Sequence, residues 1–159
     1  MLSKNRRKID SRNFFRWGLV IVWMMGIFLL SSQRATASSD LSGVITKWLY
    51  GVAERIFPET AFDFSTLSFI VRKTAHFFAY LILGSLVMNG FRGKELPATK
   101  WLFRALVVCV LYAISDEIHQ LYVPGRSGEV TDVLLDSVGS LIGIGIYFGM
   151  SKTRREHTK

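Results

Sequence analysis

The chain has 159 residues, of which 50% are hydrophobic and 13% aromatic, and it carries only three prolines. With a mean hydropathy of +0.29 it is too apolar for a disordered chain and unusually apolar for a soluble domain, and its length suits a single domain, residues 1–159. The net charge of +8 would suit nucleic acid as a patch on a soluble surface, but the lysines and arginines gather beside apolar stretches, so no nucleic-acid partner is expected.

The N-terminus is basic, with Lys4, Arg6, Arg7, Lys8, Arg12 and Arg16, and leads into an apolar window over residues 14–32. That window approaches the roughly 20 residues a helix needs to cross the hydrocarbon core. Its basic start and the Ala35-Thr36-Ala37 that follows resemble a cleavable secretory signal, but the length of the apolar stretch and the ordered-looking segment behind it favour a retained span.

Over residues 41–57, Leu41, Val44, Ile45, Trp48, Leu49, Val52 and Ile56 recur at helical spacing, with Lys47, Glu54 and Arg55 toward the other face. Ser39 or Asp40 can cap this helix and Pro58 stops it. An amphipathic helix at the outer interface is predicted; its mixed charge favours a lid over the bundle rather than a lipid sensor.

Three further spans are predicted over residues 69–88, 101–121 and 130–150, and Cys109, the only cysteine, lies inside the second of these and rules out an intrachain disulfide. Basic residues fill the connection between the second and third spans (Arg92, Lys94, Lys100) and the tail (Lys152, Arg154, Arg155, Lys159), whereas the other two connections are poorer in basic residues relative to acids. The bias of lysine and arginine toward the cytoplasm then puts both termini inside the cell. The expected fold class is all-α: a polytopic plasma-membrane protein of four transmembrane helices plus the outer helix.

Each of the last three spans carries ionisable residues near its outer end: Arg72, Lys73 and His76; Asp116, Glu117, His119 and Gln120; Asp132 and Asp136, with Arg126 and Glu129 just before them. At 1.5 Å per residue, His76, Asp116 and Asp136 all fall roughly 8–10 Å inward from the outer helix ends, so the clusters share a layer. Lys73, His76 and Tyr80 follow one helix face, and Asp132, Asp136, Gly139 and Gly143 another, the glycines permitting close helix approach. Charge at that depth costs roughly 2.5–3.5 kcal/mol per group on insertion scales, which makes the convergence a candidate site.

Several chemistries fit these residues. Arg72, Lys73 and Arg126, with the start of the last helix behind them, suit an anion such as a lipid phosphate, and His76 and His119 with Asp116 and Glu117 could serve as acid and base. Tyr80, Gln120, Asp132 and Asp136 complete the candidate ligand-binding set. A metal on His76, Asp116, His119 and Asp132 is disfavoured by the three cations nearby, so no cofactor is expected. The bland alternative is an ion-pair network that locks the helices together. The aromatic residues near the span ends are expected to be packing and interfacial anchors, and His157 a solvated tail residue.

In combination and order, Ser31-Ser32-Gln33, Arg72-Lys73-Thr74-Ala75-His76-Phe77 with Tyr80 and Gly84, Ser115-Asp116-Glu117-Ile118-His119-Gln120, Pro124-Gly125-Arg126-Ser127-Gly128, and Asp132 with Gly139 and Gly143 resemble the VanZ-like membrane proteins, named for a protein linked to teicoplanin resistance. The resemblance covers most of the chain, least clearly between the first two spans. It implies a small polytopic membrane protein that lowers glycopeptide susceptibility, and it assigns no catalytic residue. The expected partners are membrane lipids and a phosphate-bearing lipid or cell-wall precursor; whether any reaction is catalysed stays open.

Overall fold

The computed structural model describes residues 11–32, 43–44, 46–48, 50–52, 55, 63–91 and 98–156. Its four long helices are α1 (Ser11–Ser31), α2 (Phe64–Phe91), α3 (Ala98–Gln120) and α4 (Val130–Glu156), with no strand among the described residues. They match the four predicted windows, and α2 and α4 run beyond them. At the start of α2, Asp63 accepts hydrogen bonds from the backbone N–H groups of Ser65 and Thr66, each at 3.3 Å, and from both hydroxyls. This cap lets the helix begin several residues before the apolar run, and the same bonds hold the Asp63 carboxyl below its ordinary range.

Three of the helices, over Asn13–Ser31, Phe64–Phe91 and Val130–Ser151, are long and apolar enough to cross a membrane. The remaining helix, α3, carries Arg104, Asp116 and Glu117 and has an inside-out pattern. Its small residues Ala105, Cys109 and Ala113 are fully buried at four-residue spacing, while Phe103, Val107, Leu111, Ile114 and Ile118 face outward. Large apolar groups outside and small ones at the helix contacts are what lipid-facing bundles require, because lipid supplies no hydrophobic drive between helices.

Helix directions follow from the contacts. Between α2 and α4, Tyr80 meets Ser140, Ser85 meets Gly143 and Asn89 meets Tyr147, so the numbers rise together and the two helices run parallel. Trp23 Nε1 donates to the Ala79 carbonyl at 2.9 Å and Trp17 packs on Phe91, which makes α1 antiparallel to α2. Tyr112 bonds the Met24 carbonyl and Asp116 bonds Ser31, which makes α1 parallel to α3. Helix α3 is thus the return stroke between two parallel neighbours.

Along the α2–α4 seam two helix backbones approach closely at glycines. A Cβ built on Gly139 would lie 2.6 Å from the Phe77 carbonyl oxygen, and one on Gly84 or Gly143 would be closer still to the carbonyls of Ser140 and Leu81. The glycines the sequence placed on the Asp132–Asp136 row are therefore where two backbones touch.

Parts of the predicted outer helix, Leu41, Ile45, Leu49, Glu54, Ile56 and Pro58, lie outside the described residues. Residues 43–44, 46–48, 50–52 and 55 are helical. Thr46 is fully buried whereas Val44 and Trp48, two members of the apolar stripe, are about 70% exposed among the described residues.

Candidate functional site

The loop between α3 and α4 builds one wall. Tyr122 and Val123 donate backbone N–H to His119 and Gln120, and Arg126 N–H donates to the Val123 carbonyl at 3.1 Å. Gly125 has a φ of 81°, a left-handed conformation that side chains disfavour, and this turn folds Arg126 back so that its Nη1 donates to Gln120 Oε1 at 3.2 Å. Glu117 then closes the loop from below, its Oε2 accepting the Glu129 backbone N–H at 2.8 Å. The anion expected at the start of α4 is thus partly supplied from within, by Glu117.

A cleft open to solvent lies between this loop and α2. Arg72, Lys73, His76, Gln120, Arg126 and Asp132 line it, all of them candidates from the sequence. Phe69, Ser127 and Glu129 line it as well. Lys73 is committed to carboxylates: it pairs with Asp132 and, at 3.2 Å, with Glu129. His76 Nδ1 stands 3.7 Å from Asp136 Oδ2, and Asp136 is only 1% exposed. Arg72 lies over the Phe69 ring and, among the described residues, faces no carboxylate at ion-pair distance. Three cations thus face two carboxylates around the cleft.

The remaining candidates sit elsewhere. Asp116 is buried behind the cleft, where Oδ1 accepts from Ser31 Oγ at 2.5 Å and Oδ2 from the buried Tyr80 hydroxyl at 3.4 Å. His119 faces α1: its Nε2 is 3.0 Å from Ser32 Oγ and its ring packs on Phe28 at 4.3 Å between centroids. The fold therefore divides one expected cluster into an open cationic cleft and a polar seam joining α1 to α3. Among the described residues no three of His, Cys, Asp and Glu converge as metal ligands. Ser31 and Ser32 were not assigned partners from sequence, although two hydroxyls at the end of an apolar span were a signal that something polar awaited them.

Outside the spans, charge position shows in proton affinity. Burial, and then the neighbouring Arg72 guanidinium, lower Arg126 from its ordinary value, so the two arginines repel across the cleft. The Lys73 ammonium, with help from Thr131 and Ser127, holds the Glu129 carboxyl below its ordinary 4.5. A carboxylate with a depressed folded value stabilises the protein above its unfolded value, and that contribution disappears as pH falls through the folded one. The thermal midpoint of the purified protein is accordingly expected to drop as pH is taken below 4.5, and Glu129→Gln should make the drop shallower; an identical acid profile would refute the pairing.

The family model described as VanZ/LLP1 matches residues 15–151. The chain belongs to the VanZ/LLP1 family. The match takes in most of α1 and α4, all of α2 and α3, and every residue of the cleft. No curated protein and no solved structure matches the chain.

Proposed function

We propose that this VanZ/LLP1 protein crosses the plasma membrane four times with both termini in the cytoplasm, and that its cleft faces outward, engages an anionic component of the cell envelope and lowers glycopeptide susceptibility. Support for four crossings comes from the parallel run of α2 and α4, because a chain crossing twice in one direction must return between, and α3 is 23 residues long. The outward direction rests on the basic flanks at the N-terminus, between α2 and α3, and at the tail. The observation that carries ligand binding is the excess of cations in the cleft, with Arg72 lacking a carboxylate partner among the described residues. Intramembrane charge that is not neutralised internally is costly and marks sites of function.

A membrane enzyme acting on such an envelope component is the second reading. It is favoured by His76, which lines the cleft and approaches the buried carboxylate of Asp136, an arrangement suited to acid–base work. His119, on the α1 side, is less well placed for that task.

Labelling of cysteines substituted at Lys73 and Asp132 in intact cells by an impermeant reagent is expected; protection of both would overturn the orientation. Cells carrying Arg72→Gln at normal protein abundance are expected to regain glycopeptide susceptibility, by at least a fourfold shift (about 0.8 kcal/mol at 1.4 kcal/mol per factor of ten). Incubation of envelope lipid extracts with the protein separates the two readings: a changed headgroup that needs His76 identifies the enzyme, and an unchanged extract the binding protein.

A further inference from the structure

At the end of α3 remote from the cleft, Lys100 and Arg104 stand four residues apart and both are exposed. At about 3.6 residues per turn they share one stripe with Val107, Leu111, Ile114 and Ile118. Those four apolar side chains are exposed as well, and the buried Ala105, Cys109 and Ala113 occupy the opposite face. The stripe therefore points away from the bundle. Among the described residues neither cation meets a carboxylate at ion-pair distance. The helix does not compensate them either: like charges one turn apart repel, the first turn holds no acidic residue, and the N-terminal end of a helix dipole is itself positive. Helix side chains lean toward the N-terminus, so Arg104, roughly 6 Å further along the axis, reaches back toward Lys100.

We infer that Lys100 and Arg104 form a binding site for the phosphate of an anionic phospholipid in the cytoplasmic leaflet, with an acyl chain lying along Val107 and Leu111. This rests on α3 crossing the membrane from the cytoplasm, as proposed above, and not on the outer cleft or its ligand. One phosphate between the two cations relieves their repulsion and accepts from both, the guanidinium in paired fashion. A lipid is the occupant because the cations head an exposed apolar stripe on the same face. From Arg104 to Leu111 the helix rises roughly 10 Å, less than the roughly 15 Å of hydrocarbon in one leaflet, so a single chain can follow the stripe. Free inorganic phosphate shares the headgroup chemistry but leaves the stripe unused. Phosphatidylcholine offers the same phosphate, but its own cation opposes Lys100 and Arg104.

The full chain is reconstituted in nanodiscs holding equal amounts of phosphatidylglycerol and phosphatidylcholine of equal chain length, extracted into mild detergent, and the lipid it retains is measured by mass spectrometry. A basic side chain at an anionic surface contributes about fivefold in affinity, so the pair predicts a preference for phosphatidylglycerol of about 25-fold. Lys100→Gln and Arg104→Gln should each reduce it about fivefold, and Arg104→Lys, which keeps the charge, should hold it within about twofold. The double variant Lys100→Gln with Arg104→Gln should retain both lipids equally. Equal retention by the unaltered protein overturns the site, as does a preference that persists in the double variant at unchanged thermal midpoint. Excess inorganic phosphate should leave the lipid in place; displacement overturns the contribution of the stripe. In intact cells Lys100→Cys should be protected from an impermeant thiol reagent. Labelling with the lipid preference intact overturns the cytoplasmic leaflet and the proposed orientation together, whereas protection without a lipid preference overturns the site alone.

Discussion

Gly143→Ala is expected to destabilise the protein sharply, while Gly145→Ala, two residues along the same helix, leaves it unchanged or slightly more stable. Alanine adds one Cβ at each position. At Gly143 that atom would run into the Leu81 carbonyl oxygen, and the next atoms in its way are the Leu81 carbonyl carbon at 2.8 Å and Ser85 Oγ at 3.1 Å. At Gly145 nothing lies within 4 Å. A backbone oxygen cannot turn aside as a side chain can, so helix α4 must move off α2, which costs about 1–3 kcal/mol or more for an overpacked contact. The shift would also draw apart the Lys73–Asp132 and Tyr80–Ser140 contacts that the same seam aligns. At Gly145 the change removes backbone entropy from the unfolded chain and gains about 0.5–1 kcal/mol of helix preference. Thermal unfolding in detergent, with size-exclusion profiles, reads both; equal midpoints for the two variants would mean that the α2–α4 contact is not where the bundle is held.

The helices were legible because apolar runs of membrane length are a strong signal, and the windows around residues 14–32, 69–88, 101–121 and 130–150 each became one helix. Their ends were less so. Hydropathy marks the stretch that prefers hydrocarbon, whereas a helix continues for as long as its backbone bonds are made; Asp63 starts α2 ahead of its apolar run, and α4 runs on to Glu156 through charged residues. The outer segment shows the opposite problem. Helical spacing gave an apolar stripe through Val44 and Trp48, but which face turns toward the bundle depends on what the helix lies against, and the stripe leaves both residues exposed.

Within the site, rows on a single helix were readable and pairings between helices only partly so. Lys73 and His76 share a face of α2, and Asp132 and Asp136 a face of α4; parallel packing brings the first pair onto the second, Lys73 to Asp132 and His76 to Asp136. His119 looked equivalent to His76 because both lie near outer ends. Rotation about α3 turns it instead to Phe28 and Ser32 of α1. A sequence counts turns along one helix well, but the neighbour each side meets depends on packing angles that no local pattern records. The same holds for the charge of the site, which divides into an exposed cationic cleft and buried Asp116, Glu117 and Asp136 once depth is resolved.

That buried layer yields the second large effect. Asp116→Ala is expected to cost about 2–3 kcal/mol and to loosen α1 from the bundle, while Asp116→Asn costs less than about 1 kcal/mol. The carboxylate joins three helices, taking a hydrogen bond from Ser31 of α1 and from Tyr80 of α2 while standing on α3. Truncation leaves the fully buried Tyr80 hydroxyl without that acceptor, and an orphaned buried donor costs about 1–3 kcal/mol. Ser31 suffers less, since its hydroxyl can fall back on the Phe28 carbonyl at 3.1 Å. An opposing effect comes from the other buried carboxylates, Asp136 and Glu117: removing one negative charge from their neighbourhood relieves repulsion. That relief is common to both substitutions, whereas only asparagine retains an acceptor oxygen and the volume, so the difference between them reports the lost hydrogen bonds together with the lost packing. The position of α1 can be followed separately by the oxidative cross-linking of Phe28→Cys to His119→Cys, whose rings lie 4.3 Å apart in the native protein. Cross-linking should fall in Asp116→Ala and persist in Asp116→Asn. Persistence in both, with equal midpoints, would show that Trp23 on the Ala79 carbonyl and Tyr112 on the Met24 carbonyl suffice to dock α1 and that Asp116 is not its anchor.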